Sequence, residues 1–93
     1  MLTVQVFDTE AEAVLMANDS IYGLAASVWT RDLRRALSMS RALVAGNVSV
    51  NSIDPLAPMV PFGGMKQSGI GRDLSLHAFS KYTALKATWI AGA

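Results

Sequence analysis

The stretch with the most promising spacing for chemistry is VPFGGMKQSGIGRD, residues 60–73 of a 93-residue chain. Glycine serves where the backbone needs a positive φ or where another group must come close. The stretch lacks the third glycine and the preceding strand of a dinucleotide-binding turn. Lys66 also lacks the leading glycine and the following hydroxyl of a phosphate-binding loop. We therefore interpret the glycines as turn-forming residues and predict no phosphate cradle.

The remaining candidate side chains supply no complete catalytic set. The chain has no cysteine, which excludes a cysteine nucleophile, a disulfide or a thiolate metal site within these residues. His77 is the single histidine and lies among apolar residues, so a packed or hydrogen-bonded structural role is predicted. Asp54 before Pro55 is typical of a turn, with a polar group at a pocket mouth as the alternative. Phe62 sits on a slender loop and is either a plug into the core or a wall of a pocket.

The composition limits the classes of partner. The chain is 52% apolar and 16% charged, which is oily for its size and indicates an interaction surface. Its net charge is +1 with scattered basic residues, so neither nucleic acid nor an anionic membrane is a predicted partner. No apolar run approaches the roughly 20 residues of a membrane helix, and the first residues lack a basic leader. We expect a cytoplasmic location.

Three strands are predicted to position these residues. Residues 2–7 alternate apolar and polar side chains, residues 24–29 are almost continuously apolar, and residues 47–51 form a third short run. A continuous apolar run is typical of a strand covered on both faces in a parallel sheet. With helices between the strands, residues 2–51 predict an α/β fold, a β-α-β-α-β parallel three-layer fragment with right-handed crossovers.

Capping residues mark the two helices. Thr9 and Glu12 form a capping box that opens the first. Thr30 is predicted to cap the second, with Asp32 in its first turn, and Gly46 to end it in a left-handed conformation. The predicted buried face of the second helix comprises Leu33, Ala36, Leu37, Leu43 and Val44.

The second half of the chain has a different character. Residues 52–70 hold all three prolines, show no periodicity and form a loop long enough to predict a functional or packed segment. A short helix over residues 75–80 and a final strand over residues 83–90 are predicted to follow.

Four stretches in series resemble the C-terminal portion of the NAD(P)-dependent aldehyde dehydrogenase superfamily. They are EAVLMANDSIYGLAASVWTRDLRRAL, AGNVSVN, PFGGMKQSGIGRD and YTALKATWI, and the resemblance as a whole extends over roughly residues 4–90. The form GNVSVN…PFGGMKQSGIGRDLSLHAFSKYT is most similar to the bacterial branch that oxidises γ-glutamyl-γ-aminobutyraldehyde and related ω-amino aldehydes.

The resemblance implies a role for the glycine-rich loop. Phe62 matches the aromatic residue that lines the substrate tunnel beside the catalytic thiol, and Asp54 and Leu56 match the variable tunnel wall. Many relatives carry an aromatic residue at the place of Leu56, so leucine would widen the channel here. Residues 1–82 would belong to the catalytic domain. Residues 83–93 would form an oligomerisation strand and tail, pairing with a neighbouring subunit.

The resemblance also implies what these residues lack. In the family, the dinucleotide-binding domain, the catalytic cysteine and the general-base glutamate all precede the matched region. No catalytic or cofactor-binding residue is therefore expected here; NAD or NADP would belong to the parent enzyme, and the isolated chain should be inactive. Its partners would be the remainder of the dehydrogenase chain, neighbouring subunits of a homo-oligomer and, in the parent, an aldehyde substrate. The alternative is a non-enzymatic interaction module derived from a dehydrogenase.

Overall fold

A computed structural model describes residues 1–53 and 55–92. The described residues form three helices and four short strands in two small sheets. The helices are α1 (Glu10–Asn18), α2 (Leu33–Ala42) and a 3₁₀ helix (Leu76–Lys81). The strands are β1 (Tyr22–Gly23), β2 (Ala25–Val28), β3 (Asn47–Val50) and β4 (Met65–Lys66).

The centre of the fold is a parallel β-α-β unit made of β2, α2 and β3. Ala25 pairs with Asn47 and Val28 with Val50, which confirms the predicted parallel pairing of these two segments. The side chain of Asn51 continues the pairing beyond β3. Its Oδ1 accepts from the Thr30 amide at 2.9 Å, and its Nδ2 donates to the Thr30 carbonyl at 2.9 Å.

The second sheet ties the glycine-rich loop to this unit. β1 and β4 pair antiparallel, with Tyr22 opposite Lys66 and Gly23 opposite Met65. Lys66 Nζ donates to the carbonyls of Asn18 and Ser20, both at 2.8 Å. The lysine thus satisfies carbonyls at and just beyond the end of α1.

The start of α1 follows the capping prediction closely. Thr9 is the N-cap, and its Oγ1 accepts from the Glu12 amide at 3.2 Å. The Glu12 carboxylate accepts in turn from the amide of Asp8 at 2.9 Å, one residue before the cap. The box therefore satisfies two exposed amides reciprocally.

The ends of α2 differ from the prediction. Asp32, not Thr30, is the N-cap, because its carboxylate accepts from the amides of Arg34 and Arg35 at 2.8 and 3.3 Å. Thr30 instead accepts from the Asp32 amide at 3.1 Å and fixes the approach to the cap. The helix ends with Leu43 as its C-cap, and Gly46 has no positive φ.

The predicted strands over residues 2–7 and 83–90 are wrong, because neither segment forms a strand in the described structure. A strand needs a neighbour for its amides and carbonyls, and the described residues offer these two segments none. The predicted three-stranded parallel sheet therefore contains two strands, and no terminal oligomerisation strand forms in the described part of the chain by itself.

Little apolar surface is buried. Among the described residues, the buried apolar side chains are Val28 and Ala36, at 8% and 6% exposed, whereas Leu33 on the predicted buried face is 74% exposed. The accessible surface is 8009 Å², against roughly 5,200 Å² for a compact monomer of this mass. The radius of gyration is 18.4 Å, against roughly 12 Å for a compact domain of this length. The chain does not cover its own apolar faces.

Candidate functional site

A small cavity lies where the loop after β3 folds back over the parallel sheet. Its volume is about 110 Å³, and it brings together Leu56 and Phe62, two of the three residues that the family resemblance places on a tunnel wall. Asp54, the third, lies outside the described residues, although its neighbour Pro55 lines the cavity. The remaining lining residues are Ala26, Asn47, Val48, Ser49 and Val60.

Phe62 is held in this wall by its own backbone. Its amide donates to the Asp73 carbonyl at 2.8 Å, and the Asp73 amide donates back to the Phe62 carbonyl at 2.7 Å. This isolated antiparallel bridge joins the two ends of the glycine-rich loop. The ring of Phe62 is half-buried. Phe62 also lines the cavity described above.

The side chain of Asn47 holds the same loop from the sheet side. Its Nδ2 donates to the Pro61 carbonyl at 3.1 Å, and its Oδ1 accepts from the Gly63 amide at 3.3 Å. At Gly46, one residue before Asn47, the loop backbone also lies close to the chain. A Cβ on Gly46 would lie 1.6 Å from the Gly63 carbonyl oxygen, so only glycine fits there.

Two glycines of the loop, Gly63 and Gly64, lie tightly against other parts of the same loop. A Cβ on Gly63 would meet the Gly71 oxygen at 2.5 Å, and one on Gly64 would meet the Ser68 Cβ at 2.5 Å. The guanidinium of Arg72 donates to the carbonyls of Gly64 and Gly71 at 2.9 and 2.8 Å. Close approach of the loop to itself therefore accounts for Gly63 and Gly64, whereas Gly69 and Gly71 have the positive φ that the predicted turn chemistry requires.

An exposed ion pair lies on the outer side of the loop. The Asp73 carboxylate accepts a hydrogen bond from Lys81 Nζ at the end of the 3₁₀ helix. This bond raises the pKa of Lys81 above its ordinary value. Asp73 thus connects the 3₁₀ helix, through its side chain, to the backbone that holds Phe62.

The cavity can shape an apolar group but offers no nucleophile. No described lining residue is ionisable, and the Ser49 hydroxyl donates to the Ser52 carbonyl at 2.8 Å. The Asn47 amide is likewise engaged by the loop. At roughly 30 Å³ per water, the space is that of three or four waters.

The other polar candidates lie apart from this cavity. His77 Nδ1 is 3.1 Å from the Ser75 hydroxyl, and the same hydroxyl accepts from the His77 amide at 3.2 Å, in keeping with the predicted structural role. Within residues 1–53 and 55–92 no group of three or more acidic or histidine side chains could hold a metal ion. None of the helices in the described chain is long and apolar enough to cross a membrane.

Sequence reasoning missed the contribution of Asn47. Asparagine is depleted in strands, so its position at the first residue of β3 was a usable signal that its side chain makes contacts outside the sheet. The partner carbonyl and amide, 14 and 16 residues away, could not be inferred from the sequence.

The described residues form an α/β segment with a small cavity between its parallel strand pair and the loop that follows β3. Comparison with known proteins identifies the segment further. Residues 1–88 match the model of the Aldehyde dehydrogenase family, and the chain belongs to this family.

Two curated relatives show how the chain compares in length. It is 58% identical over 90 residues to the NADP/NAD-dependent aldehyde dehydrogenase PuuC of Escherichia coli, covering 97% of this chain and 18% of that protein. It is 50% identical over 91 residues to the aminoacetaldehyde dehydrogenase of Pseudomonas aeruginosa, with coverage of 97% and 18%. The chain thus spans less than a fifth of the length of either relative.

Solved structures agree with this placement. The apo crystal structure of an indole-3-acetaldehyde dehydrogenase matches with a TM-score of 0.84 and 61% identity, over 90% of this chain and 20% of that one. The aldehyde dehydrogenase KauB of Pseudomonas aeruginosa matches with a TM-score of 0.84 and 60% identity, over 90% and 17%. An indole-3-acetaldehyde dehydrogenase structure at 61% identity contains NAD⁺.

Proposed function

We propose that this chain forms part of the substrate-tunnel wall of an aldehyde dehydrogenase that oxidises an aldehyde to a carboxylic acid with NAD(P)⁺. Leu56 and Phe62, which the resemblance assigns independently to that wall, line the same cavity, and this observation carries the proposal. Asp54, two residues before Leu56, is proposed to lie at the mouth of the same tunnel.

The chemistry of the reaction belongs to other residues of the parent enzyme. The family forms a thiohemiacetal on a cysteine, and these 93 residues contain no cysteine. The space beside Gly63 and Gly64 is filled by other atoms of the same loop, and the sequence pattern of the loop is not that of a dinucleotide-binding turn. The proposed task of this chain is therefore to hold the carbon chain of the aldehyde and to exclude water beside it.

The uncovered surface supports a larger parent protein. The chain exposes about half as much surface again as a compact monomer of its mass. Among its exposed apolar side chains are Leu85, Trp89 and Ile90, in the segment proposed to pair with a neighbouring subunit. We propose that residues 1–82 pack within the catalytic domain and that residues 83–93 contribute to a homo-oligomer contact.

An ω-amino aldehyde is the proposed substrate class. The resemblance to the bacterial branch that oxidises ω-amino aldehydes and the relative named for aminoacetaldehyde support it. Leu56 removes the ring that could face an ammonium group, so Asp54 is the residue proposed to attract that cation. An interaction module without enzymatic activity is the second candidate, and the exposed apolar surface favours it equally.

A chimera tests the first candidate against the second. In this chimera, the 90 matching residues of the E. coli relative are replaced by those of the present chain. We expect a soluble enzyme that reduces NAD(P)⁺ with aldehydes, measured as absorbance of the reduced cofactor. Phe62→Ala in the chimera should lower kcat/KM for phenylacetaldehyde relative to acetaldehyde by about tenfold, because an aromatic contact is lost. A folded chimera whose preference is unchanged by Phe62→Ala would contradict the tunnel-wall assignment.

A further inference from the structure

The side chain of Asn47 joins β3 to both residues that flank Phe62. It donates to the carbonyl of Pro61 at 3.1 Å and accepts from the amide of Gly63 at 3.3 Å. Asn47 itself lines the cavity and is half-buried. Its two hydrogen bonds therefore hold the residues on either side of Phe62, whose ring lines the cavity.

The partners determine which way the amide of Asn47 faces. A carbonyl oxygen can only accept, so the NH₂ group must face Pro61, and a backbone amide can only donate, so the oxygen must face Gly63. Aspartate at residue 47 would place a carboxylate oxygen against the Pro61 carbonyl oxygen, so that two acceptors would face each other. Leucine has a similar size but would make neither hydrogen bond. The site requires a side chain that donates at one end and accepts at the other.

Phe62 is consequently fixed from two directions. Its own amide and carbonyl pair with Asp73, and its two neighbours are held by Asn47. The bridge to Asp73 sets the direction of the loop, while Asn47 sets its distance from the sheet floor of the cavity. Releasing Asn47 would leave the ring attached to the loop but free to move away from the sheet.

We propose that Asn47 is a positioning residue that fixes the Phe62 ring in the tunnel wall and so sets the preference of the enzyme for bulky over small aldehydes. This inference rests on the proposed function, in which Phe62 contacts the substrate. Asn47 acts through Phe62 and takes no part in bond making. Its influence should therefore appear mainly in KM for bulky substrates.

The test compares four variants of the chimera: Asn47→Leu, Phe62→Ala, their double mutant and the control Asn18→Leu. Asn18 is a matched control because its amide also donates to a carbonyl, of Ala42 at 2.9 Å, and accepts from an amide, of Val44 at 2.8 Å. It does not line the cavity. The measurements are Tm and the ratio of kcat/KM for phenylacetaldehyde to that for acetaldehyde.

Asn47→Leu should lower this ratio about fivefold, mostly through KM, whereas Asn18→Leu should lower Tm and leave the ratio unchanged. The double mutant should have the ratio of Phe62→Ala alone, because a residue that acts through Phe62 has nothing to position once the ring is gone. If Asn47→Leu does not fold, Asn47→Asp keeps the acceptor for Gly63, loses the donor to Pro61 and should lower the ratio in the same direction.

Two results would overturn the inference while leaving the proposed function intact. One is an Asn47→Leu variant that behaves as Asn18→Leu does, with a lower Tm and an unchanged ratio, while Phe62→Ala changes the ratio. The other is a double mutant whose losses in the ratio multiply. An unchanged ratio in Phe62→Ala itself would refute the tunnel wall and the inference together.

Discussion

Adding a single methyl group at Gly46 should displace the loop that carries Phe62. An alanine Cβ at residue 46 would lie 1.6 Å from the Gly63 oxygen, 2.7 Å from the Gly63 carbonyl carbon and 3.3 Å from the Gly64 Cα. Backbone atoms block it, so no side-chain rotation relieves the clash. The loop must retreat by about 1.4 Å to reach even the 3.0 Å that Cβ contacts essentially never fall below.

The size of the effect follows from this displacement. Overpacking against a fixed neighbour costs about 1–3 kcal/mol. A retreat of this size also breaks the two bonds of Asn47 to Pro61 and Gly63, which contribute about 1 kcal/mol each. We expect Gly46→Ala to lower the free energy of unfolding of the chimera by about 3–5 kcal/mol. Displacing a substrate contact by about 1 Å can cost up to about 100-fold in rate, so kcat/KM for phenylacetaldehyde should fall by about 10- to 100-fold.

The assay needs a control that adds the same methyl group without the clash. Gly92→Ala provides it, because no atom lies within 4 Å of the place that its Cβ would take and its φ is not positive. Tm and kcat/KM of both variants are measured in the chimera. If the Tm of Gly46→Ala lies within about a degree of that of the unsubstituted chimera and its kcat/KM for phenylacetaldehyde is unchanged, then the loop is not held against β3 and the reasoning is refuted.

Four further outcomes are expected. Phe62→Ala should lower the free energy of unfolding by only about 1 kcal/mol, since the ring is half-buried, and a loss of about 3–5 kcal/mol with normal kinetics would instead show a core plug. The isolated chain should form no NADH or NADPH above background with any aldehyde, because it has no cysteine; turnover that survives repurification would contradict this. It should also sediment as a dimer or larger species that dissociates when residues 83–93 are deleted, and a monomer with amides 84–90 strongly protected from exchange would contradict this. Finally, the hydrogen bond from Lys81 to Asp73 raises the pKa of Lys81 above its ordinary value of 10.5. The stabilisation from this bond should therefore be complete below pH 10.5 and be lost as the pH rises through the higher pKa of the folded state. Lys81→Met should abolish that alkaline loss in Tm values measured over a pH series, and an identical pH series for both proteins would contradict the prediction.

Elements fixed by local chemistry were predictable from the sequence. The capping box at Thr9 specifies the start of α1 through neighbours three residues apart, and the apolar runs of β2 and β3 specify a parallel pair through the helix between them. The sequence predicted Thr30 as the N-cap of α2, whereas the structure has Asp32 there. Both side chains can cap a helix, and only the geometry of the turn decides between them.

Features that depend on distant partners were not predictable. Gly46 has the spacing of a helix terminator, yet it is a glycine because residue 63 packs against it. The resemblance assigned Leu56 and Phe62 to one wall. The side-chain amide that holds the neighbours of Phe62 belongs to Asn47, 15 positions before Phe62, and the sequence did not indicate this contact. Periodicity reports which face of an element is apolar and carries no information about which distant backbone group will lie against it.

The strands that failed to form follow from the same distinction. Residues 2–7 and 83–90 have the alternation of strands, and their side chains are among the most exposed in the chain, with Leu2 at 88% and Leu85 at 106%. A strand is stabilised by a partner's amides and carbonyls, whereas a capped helix satisfies its own. The helices therefore form within this chain, while the two outer segments remain without pairing among the described residues.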